Sequence, residues 1–226
     1  MSKPVSVILT FLVGSIFFIL LPIIGWGLDD IASFFTNSVR VSFVVVVILL
    51  NGYASIRNPE VGKKKNKGKK KVERQHLALI LLQVLSISLV LAVPFCDRRK
   101  ILTISSSDIM RFIGLAFYII GFITMHLAER YLGKQFSIEV EIQNDHKLFT
   151  DGPFRYIRHP RYLGIIIFTI GIALTFNSWS GLFLVLLIIM VLLWRISDEE
   201  KLMQEEFGDK WAAYKEGTDR LIPFIF

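Results

Sequence analysis

A short stretch, FRYIRHPRYLG at residues 154–164, combines anion-binding side chains with a backbone suited to starting a helix. Pro160 disfavours the helical conformation at His159 and is well suited to the first turn of the helix that follows. The amides at such a helix start can bind an anion such as a carboxylate, and Arg158, His159 and Arg161 stand beside them. The same composition is also typical of the interfacial belt of a membrane helix, with arginine and tyrosine at headgroup level.

A second group of reactive side chains lies directly after the last apolar segment, in RISDEEKLMQEEF at residues 195–207. Arg195 and Glu199 are four residues apart and therefore share one face of a helix. An ionisable residue at the edge of the hydrocarbon region indicates a functional group with a partner, and Glu199 is the obvious partner. The alternative is an exposed ion pair that contributes only about 0.2–0.5 kcal/mol.

An amphipathic pattern continues beyond these residues. Its apolar stripe consists of Leu202, Phe207, Trp211 and Tyr214. Gly208 and Gly217 allow breaks in the stripe. We interpret it as a surface that packs on the preceding helices or lies at the interface.

The elements that must position these groups are membrane helices. Of the 226 residues, 53% are hydrophobic, and the mean hydropathy of +0.55 is too high for an ordinary soluble domain. Windows without charge recur at 5–28, 41–56, 77–95, 112–127 and 163–194. Most approach or exceed the roughly 20 residues that cross a bilayer core. The last window is too long for one helix, and FNSWSG at 176–181 favours a turn inside it.

The sequence therefore predicts an all-α, polytopic integral membrane protein of about six helical segments, the last two forming a tight hairpin. Most of its 26 Lys and Arg residues fall on one side of the spans, chiefly in the basic loop at 57–74, and Arg111 is left unassigned inside a span. This bias predicts that both termini and the residues named above are cytosolic. We read the net charge of +7 as this topology signal, and we expect no nucleic-acid partner.

Metal and disulfide chemistry are not indicated. Cys96 is the single cysteine, which excludes an internal disulfide and a cysteine-based metal cluster. His126 and His146 have no neighbours at the spacing of a zinc protease site, so we expect no metal. His126, near the end of an apolar helix, is interpreted as a packed or capping histidine.

Two longer stretches carry a family resemblance: HKLFTDGPFRYIRHPRYLG at 146–164 and RISDEEKLMQEEFGDKWAAYKEGTDRLIPFI at 195–225. Together they resemble the isoprenylcysteine carboxyl methyltransferase family, within the broader set that includes phospholipid N-methyltransferases. The resemblance covers roughly the C-terminal half and rests on RHPxYxG combined with EE, FGxxWxxY and RLIP. It implies S-adenosyl-L-methionine as methyl donor and an apolar acceptor that enters from the membrane.

The resemblance also implies roles for individual residues. Cofactor contacts fall on His146, Lys147, Leu148, Phe149, Phe154, His159, Pro160, Arg161, Tyr162, Gly164 and Glu199, with Glu139 as a weaker carry-over because the family varies there. Arg195 falls where the family holds the acceptor, and Arg158 is placed next to the chemistry. Phe154 stands where many members have tyrosine, which removes a hydroxyl that could bind the cofactor.

The residue types also suit the chemical groups of S-adenosylmethionine. Arginine or a helix N-terminus suits its carboxylate, and aromatic rings such as those of Phe149 or Tyr162 suit its adenine or sulfonium. Glu199 or Glu200 suits the ammonium or the ribose diol, so we count Glu200 among the cofactor-binding residues.

We expect one structural unit with two parts. Residues 1–128 would form the N-terminal transmembrane helices with the basic cytosolic loop at 57–74, and residues 129–226 the methyltransferase core of cofactor loop, helical hairpin and tail. The cofactor pocket would lie on the cytosolic side near the C-terminus. The membrane would be the cell membrane in a prokaryote and the endoplasmic reticulum in a eukaryote.

The acceptor decides between several activities. A carboxylate is already ionised at neutral pH and needs only orientation by Arg195, which favours O-methylation of an S-isoprenylated cysteine, as a small molecule or a prenylated peptide, or of a similar lipophilic carboxylate. Alternatively, phosphatidylethanolamine is N-methylated; its amine must first lose a proton, for which Glu199, Glu200 or His159 would serve as base.

Two more distant alternatives remain. One is an NADPH-dependent membrane reductase, for which the chain is short. The other is a non-catalytic membrane protein whose basic segment at 62–74 recruits anionic lipid or a partner while the C-terminal motifs stabilise the hairpin.

Overall fold

The computed structural model of the chain describes residues 3–57, 70–71, 75–105, 107–137, 141–142 and 147–223. The helices in these ranges are α1 (Lys3–Ser15), α2 (Leu21–Trp26), α3 (Ile31–Phe34), α4 (Ser38–Arg57), α5 (Gln75–Arg99), α6 (Asp108–Leu132), α7 (Pro160–Thr175), α8 (Trp179–Phe207) and α9 (Asp209–Glu216). Two-residue strands, β1 (Lys70–Lys71) and β2 (Glu141–Ile142), pair antiparallel. The described part of the fold is otherwise helical, as the sequence predicted.

Five helical stretches are long and apolar enough to cross a membrane: Val5–Trp26, Ser38–Arg57, Gln75–Arg99, Asp108–Leu132 and Trp179–Phe207. The first joins α1 to α2 through one π-helical turn, Ile16–Leu20. With the shorter apolar helix α7, they make the six expected segments, and the polytopic membrane fold is confirmed.

The expected hairpin is formed by α7 and α8. A turn at Phe176–Ser178 joins them, where Asn177 takes a positive φ of 52°. The Ser178 hydroxyl then caps α8 by accepting a hydrogen bond from the Gly181 amide at 3.1 Å. The Asn and Ser that predicted a turn are therefore the residues that make it.

The most extensive helix contact among the described residues is between α6 and the antiparallel α7. Its glycines lie seven residues apart on each helix, Gly114 and Gly121 on α6 and Gly164 and Gly171 on α7. A Cβ atom added to any of the four would collide with backbone atoms of the facing helix. Small residues allow such close approach in membrane helices, where van der Waals packing is a major force holding helices together.

A buried carboxylate, Asp97, fixes the helix ends at one side of the bundle. Arg111 binds both of its oxygens, at 2.5 and 2.7 Å, and donates to the Thr175 carbonyl at 3.1 Å. Arg40 lies 3.5 Å from the same carboxylate and donates to the Phe34 carbonyl at 2.8 Å. Arg111, unassigned from sequence, thus ties the start of α6 to the ends of α5 and α7.

The proposed division between residues 128 and 129 falls inside the last turn of α6. Because α6 packs along α7, the two proposed parts share an extensive helix contact. The division remains a prediction.

The glycine contact leads to a stability prediction. Gly121→Ala should lower the free energy of unfolding by about 1–3 kcal/mol, because the added methyl group meets the backbone near Phe168 and forces α6 from α7. Gly52→Ala is the matched control, since a Cβ there would lie 3.9 Å from Phe11 Cε2. Thermal unfolding of both variants in detergent measures the difference. Equal midpoints would show that α6 and α7 do not need this contact.

Candidate active site

A cavity lies where the end of α6, the start of α7, the polar part of α8 and helix α9 meet. Its volume is about 110 Å³, whereas a single buried water needs roughly 10–15 Å³. Its polar lining consists of Gln135, Ser137, Lys147, Arg158, His159, Arg161, Tyr162, Arg195, Glu199 and Tyr214. Its apolar lining consists of Leu132, Phe136, Leu148, Phe149, Phe154, Pro160, Leu202, Met203 and Trp211.

The cavity brings most of the sequence-predicted residues together. Lining it are Lys147, Leu148, Phe149, Phe154, Arg158, His159, Pro160, Arg161, Tyr162, Arg195 and Glu199. Two others lie elsewhere: Gly164 is in the α6–α7 contact, and Glu200 binds residues of the cavity wall. Glu139 and His146 are outside the described residues. The functional roles of all these residues remain predictions.

The chain is not helical at His159, where φ is −125° and ψ is 57°, as Pro160 predicted. Residues 156–159 pair with the chain after α9: the Arg158 amide donates to the Asp219 carbonyl at 2.8 Å and the His159 amide to the Arg220 carbonyl at 3.1 Å. The Asp219 amide donates to the Tyr156 carbonyl at 3.2 Å. The tail therefore holds the start of α7 through backbone hydrogen bonds.

Glu200 joins two arginines and a histidine at the cavity wall. Its Oε1 accepts from Arg158 Nε at 3.0 Å and lies 3.3 Å from His159 Nε2, while its Oε2 accepts from Arg220 at 2.6 Å. These three partners lie either directly before α7 or in the tail after α9. Glu200 therefore connects α8 to both segments, a geometry that fits a structural anchor as well as a cofactor ligand.

Arg158 is held from several sides. Besides Glu200, its guanidinium donates to the carbonyl of Lys215 at 3.1 Å and to the carbonyl of Thr218. These bonds engage both Nε and Nη1 with protein acceptors. Arg158 thus links the segment directly before α7 to the end of α9 and the tail.

The expected pair of Arg195 and Glu199 meets at Tyr162 on α7. The Tyr162 hydroxyl donates to Glu199 Oε2 at 2.8 Å and also lies within reach of the Arg195 guanidinium. Arg195 is 2% exposed, whereas the side chain of Glu199 is 28% exposed. The cavity therefore has a buried cationic end and a more open anionic side, linked by one phenol.

Helix α9 covers part of the cavity. Gly208, with a positive φ of 52°, turns the chain between α8 and α9. Trp211 and Tyr214 then face the cavity, and the Tyr214 hydroxyl donates to the Phe154 carbonyl at 2.6 Å. Burial raises the pKa of Tyr214 to about 12, so the phenol keeps its donor proton at neutral pH.

Several lining residues were not predicted from sequence. Trp211 and Tyr214 belong to the FGxxWxxY motif and to the apolar stripe, so a signal for them was present. Gln135 and Phe136 follow α6 directly, where the Gln135 side chain accepts from the Lys147 amide at 3.0 Å. Nothing in their local pattern indicates a site.

Metal ligands are not clustered in the part of the chain that the structure describes. There, no group of three or more His, Cys, Asp or Glu side chains could hold a metal ion. The expectation of a metal-free site remains a prediction.

Comparison with known proteins finds relatives whose similarity includes the start of α7 and the polar part of α8. Residues 109–210 match the family model described as phospholipid methyltransferase. A probable protein-S-isoprenylcysteine O-methyltransferase of Oryza sativa subsp. japonica is 31% identical over 117 residues, which cover 50% of this chain and 61% of that protein. The enzyme of that name from Saccharomyces cerevisiae is 33% identical over 121 residues, covering 50% of this chain and 48% of it. The match spans less than two thirds of these relatives.

A solved structure shows the same fold over a longer stretch. It is a eukaryotic intramembrane Ras methyltransferase, an isoprenylcysteine carboxyl methyltransferase, with a TM-score of 0.55 and 21% sequence identity. The superposition covers 89% of this chain and 73% of that one. The C-terminal half of the chain is thus similar in sequence to protein-S-isoprenylcysteine O-methyltransferases, and the chain shares the fold of the intramembrane methyltransferase.

Proposed function

We propose that this chain is a membrane methyltransferase that uses S-adenosylmethionine to O-methylate the carboxylate of an S-isoprenylated cysteine or a similar lipophilic carboxylate. The observation that carries the proposal is the arrangement of Arg195, Tyr162 and Glu199 in one cavity at the end of the apolar helices. A buried cation suits an anionic acceptor that arrives from the bilayer. An adjacent, more exposed carboxylate suits a polar cofactor that arrives from water.

The residues around the cavity fit the chemical groups of S-adenosylmethionine. Lys147 and Arg161 supply positive charge near the start of α7 for its carboxylate. Glu199 supplies negative charge for its ammonium or ribose hydroxyls. Phe149 and Trp211 offer aromatic surface for the adenine or the sulfonium.

The protein's part in the reaction is chiefly orientation. When bound, S-adenosylmethionine would supply a methyl group activated by the sulfonium. The acceptor oxygen would take this methyl group by in-line displacement, with the thioether of S-adenosylhomocysteine as the leaving group. Arg195 can hold the acceptor carboxylate through two parallel hydrogen bonds, and Tyr162 limits the movement of both Arg195 and Glu199. Since an α-carboxylate has a pKa of about 3.5, no side chain has to remove a proton. Trp211 and α9 help to exclude water.

The description of the matching family model favours a second candidate, N-methylation of an aminophospholipid such as phosphatidylethanolamine. In that reaction Arg195 would hold the lipid phosphate. Glu199 or His159 would have to accept a proton from the amine, whose pKa is near 10.

We further propose that the cavity and both termini face the cytosol. Most Lys and Arg residues lie on the side of the spans to which the cavity belongs. The partners would then be a prenylated peptide or small molecule and membrane lipid, with no role for nucleic acid.

The first prediction concerns the cofactor. Glu199→Gln should weaken the binding of S-adenosylmethionine about tenfold or more, because it removes the charge from a charge-assisted hydrogen bond. Binding of the methyl-labelled compound to protein in lipid nanodiscs measures the effect. Glu205→Gln, an exposed residue on the same helix, is the control. Unchanged affinity would remove Glu199 from the site, and no binding even by the wild type would favour a non-catalytic protein.

The second prediction concerns the acceptor. Arg195→Ala should lower kcat/KM for a farnesylated cysteine analogue about a hundredfold or more, while the Kd of the methyl donor changes less than threefold. Steady-state kinetics and donor binding on the same preparation separate the two effects. Equal losses in both would contradict the assignment of Arg195 to the acceptor.

The third prediction distinguishes the two reactions. With farnesylated cysteine and phosphatidylethanolamine offered together, label from the methyl donor should enter the prenylcysteine as a base-labile ester. Its rate should be nearly flat between about pH 6.5 and 8.5, because the carboxylate is ionised throughout. Base-stable label in the phospholipid, with a rate that rises steeply with pH, would establish the N-methyltransferase instead.

A further inference from the structure

Glu129, near the end of α6, is a buried carboxylate beside the cavity that the proposed chemistry does not use. It is 4% exposed, and its Oε1 accepts a hydrogen bond from Arg161 Nε at 2.9 Å. His126, one helical turn earlier, places Nδ1 2.9 Å from the other oxygen, Oε2. The three side chains form a row from the face of α6 to the cavity wall, since Arg161 lines the cavity.

This ion pair is one of several contacts that join α6 to α7. The two helices already meet through backbone contact at Gly121 and Gly164, a few residues away. A buried ion pair is also weak evidence for stability, because removing two charges from water offsets much of their attraction. Glu129 is therefore a candidate for a role other than holding the helices together.

The geometry of Arg161 indicates that role. Glu129 holds its Nε, and the Phe136 ring lies under the guanidinium with a centroid distance of 5.0 Å. The bond to Glu129 uses one of the five N–H donors, which leaves the Nη groups for another acceptor. The side chain of Arg161 is 22% exposed, so water or a ligand can reach it.

The neighbouring Arg158 makes a useful contrast. Its Nε and Nη1 bind Glu200 and the carbonyls of Lys215 and Thr218, which are all protein acceptors. Two arginines therefore flank the start of α7 and are held differently. In Arg158 the hydrogen bonds involve Nε and Nη1, whereas in Arg161 the hydrogen bond to Glu129 involves Nε.

We propose that Glu129 is a positioning residue that orients Arg161 to bind the carboxylate of S-adenosylmethionine, with His126 restraining Glu129 from its other side. The inference rests on the proposed function, because it concerns the same cofactor. Glu129 itself would not touch the cofactor. It would act by fixing Nε, so that the Nη groups face the ligand without a loss of side-chain freedom at the moment of binding.

The experiment compares two ligands, S-adenosylmethionine and its decarboxylated analogue, which lacks only the carboxylate. Their dissociation constants are measured by calorimetry on the full chain in lipid nanodiscs, and the ratio of the two constants is the readout. The wild type should prefer S-adenosylmethionine at least about tenfold, and Arg161→Met should bring the ratio close to one.

The Glu129 variants separate positioning from charge. Glu129→Ala should lower the preference about tenfold, whereas Glu129→Gln should stay within about threefold of the wild type, because its carbonyl oxygen can still accept from Arg161 Nε. If Glu129 served only as a counter-charge, both variants would increase the preference, since Arg161 would then be uncompensated. Should the alanine variant not fold, Glu129→Leu replaces it with the same expectation.

Asp97→Asn is the matched structural control. Asp97 is also buried and bound to an arginine of α6, but Arg111 lies 18 residues from Glu129 along the helix, or about 27 Å. This variant should lower the unfolding temperature and leave the ligand ratio unchanged.

The outcomes are distinct. A ratio that is unchanged or increased in Glu129→Ala would overturn the positioning role, even if the protein became less stable. A wild type that binds the analogue as well as S-adenosylmethionine would overturn the assignment of Arg161 to the carboxylate. A wild type that binds neither ligand would overturn the proposed function itself, and this inference with it.

Discussion

The backbone contact between α6 and α7 sets the positions of most other parts of the molecule. Four glycines bring the two helices so close that a Cβ atom at any of these positions would collide with the facing backbone. One end of this pair carries Arg111 and the Asp97 cluster, and the other end carries the cavity. Because both ends are fixed by one rigid contact, the start of α7 has a defined place next to the end of α6.

Buried charges occur at both ends of the bundle, and they are arranged differently. At the Asp97 end, arginines meet a carboxylate and main-chain carbonyls, so the cluster is closed. At the cavity end, Glu200 binds Arg158 and Arg220. Arg161, Arg195 and Glu199 are part of the cavity lining. Burying charge is costly in both places, and the second arrangement leaves charged groups facing a cavity.

Much of this architecture was predictable because it depends on local patterns. Charge-free windows predicted the spans, FNSWSG predicted the turn before α8, and Pro160 predicted the non-helical backbone at His159. The residue types that line the cavity were predictable from the same motifs, since RHPxYxG lies at the start of α7 and the Arg195–Glu199 pair directly follows the apolar part of α8.

The rest depends on contacts between residues far apart in the chain, which no periodic pattern encodes. Arg158 lies in a motif typical of anion binding, but its acceptors are Glu200 and the carbonyls of residues 215 and 218. Only the folded tail brings those two carbonyls near. Glu129 reads from sequence as one acid among several at the end of a span. The role proposed for Glu129 depends on its hydrogen bond with Arg161, which lies 32 residues further along the chain.

The pairing of residues 156–159 with the segment after α9 has a consequence for biosynthesis. The ribosome makes residues 209–221 only after all the membrane helices. The translocon can therefore insert the helices while the cavity still lacks Trp211, Tyr214 and the carbonyls of Lys215 and Thr218 that bind Arg158. Assembly of the bundle and completion of the pocket are therefore separate events in time. A nascent chain held in the membrane before its tail is released would have the fold of the helices and no enclosed site.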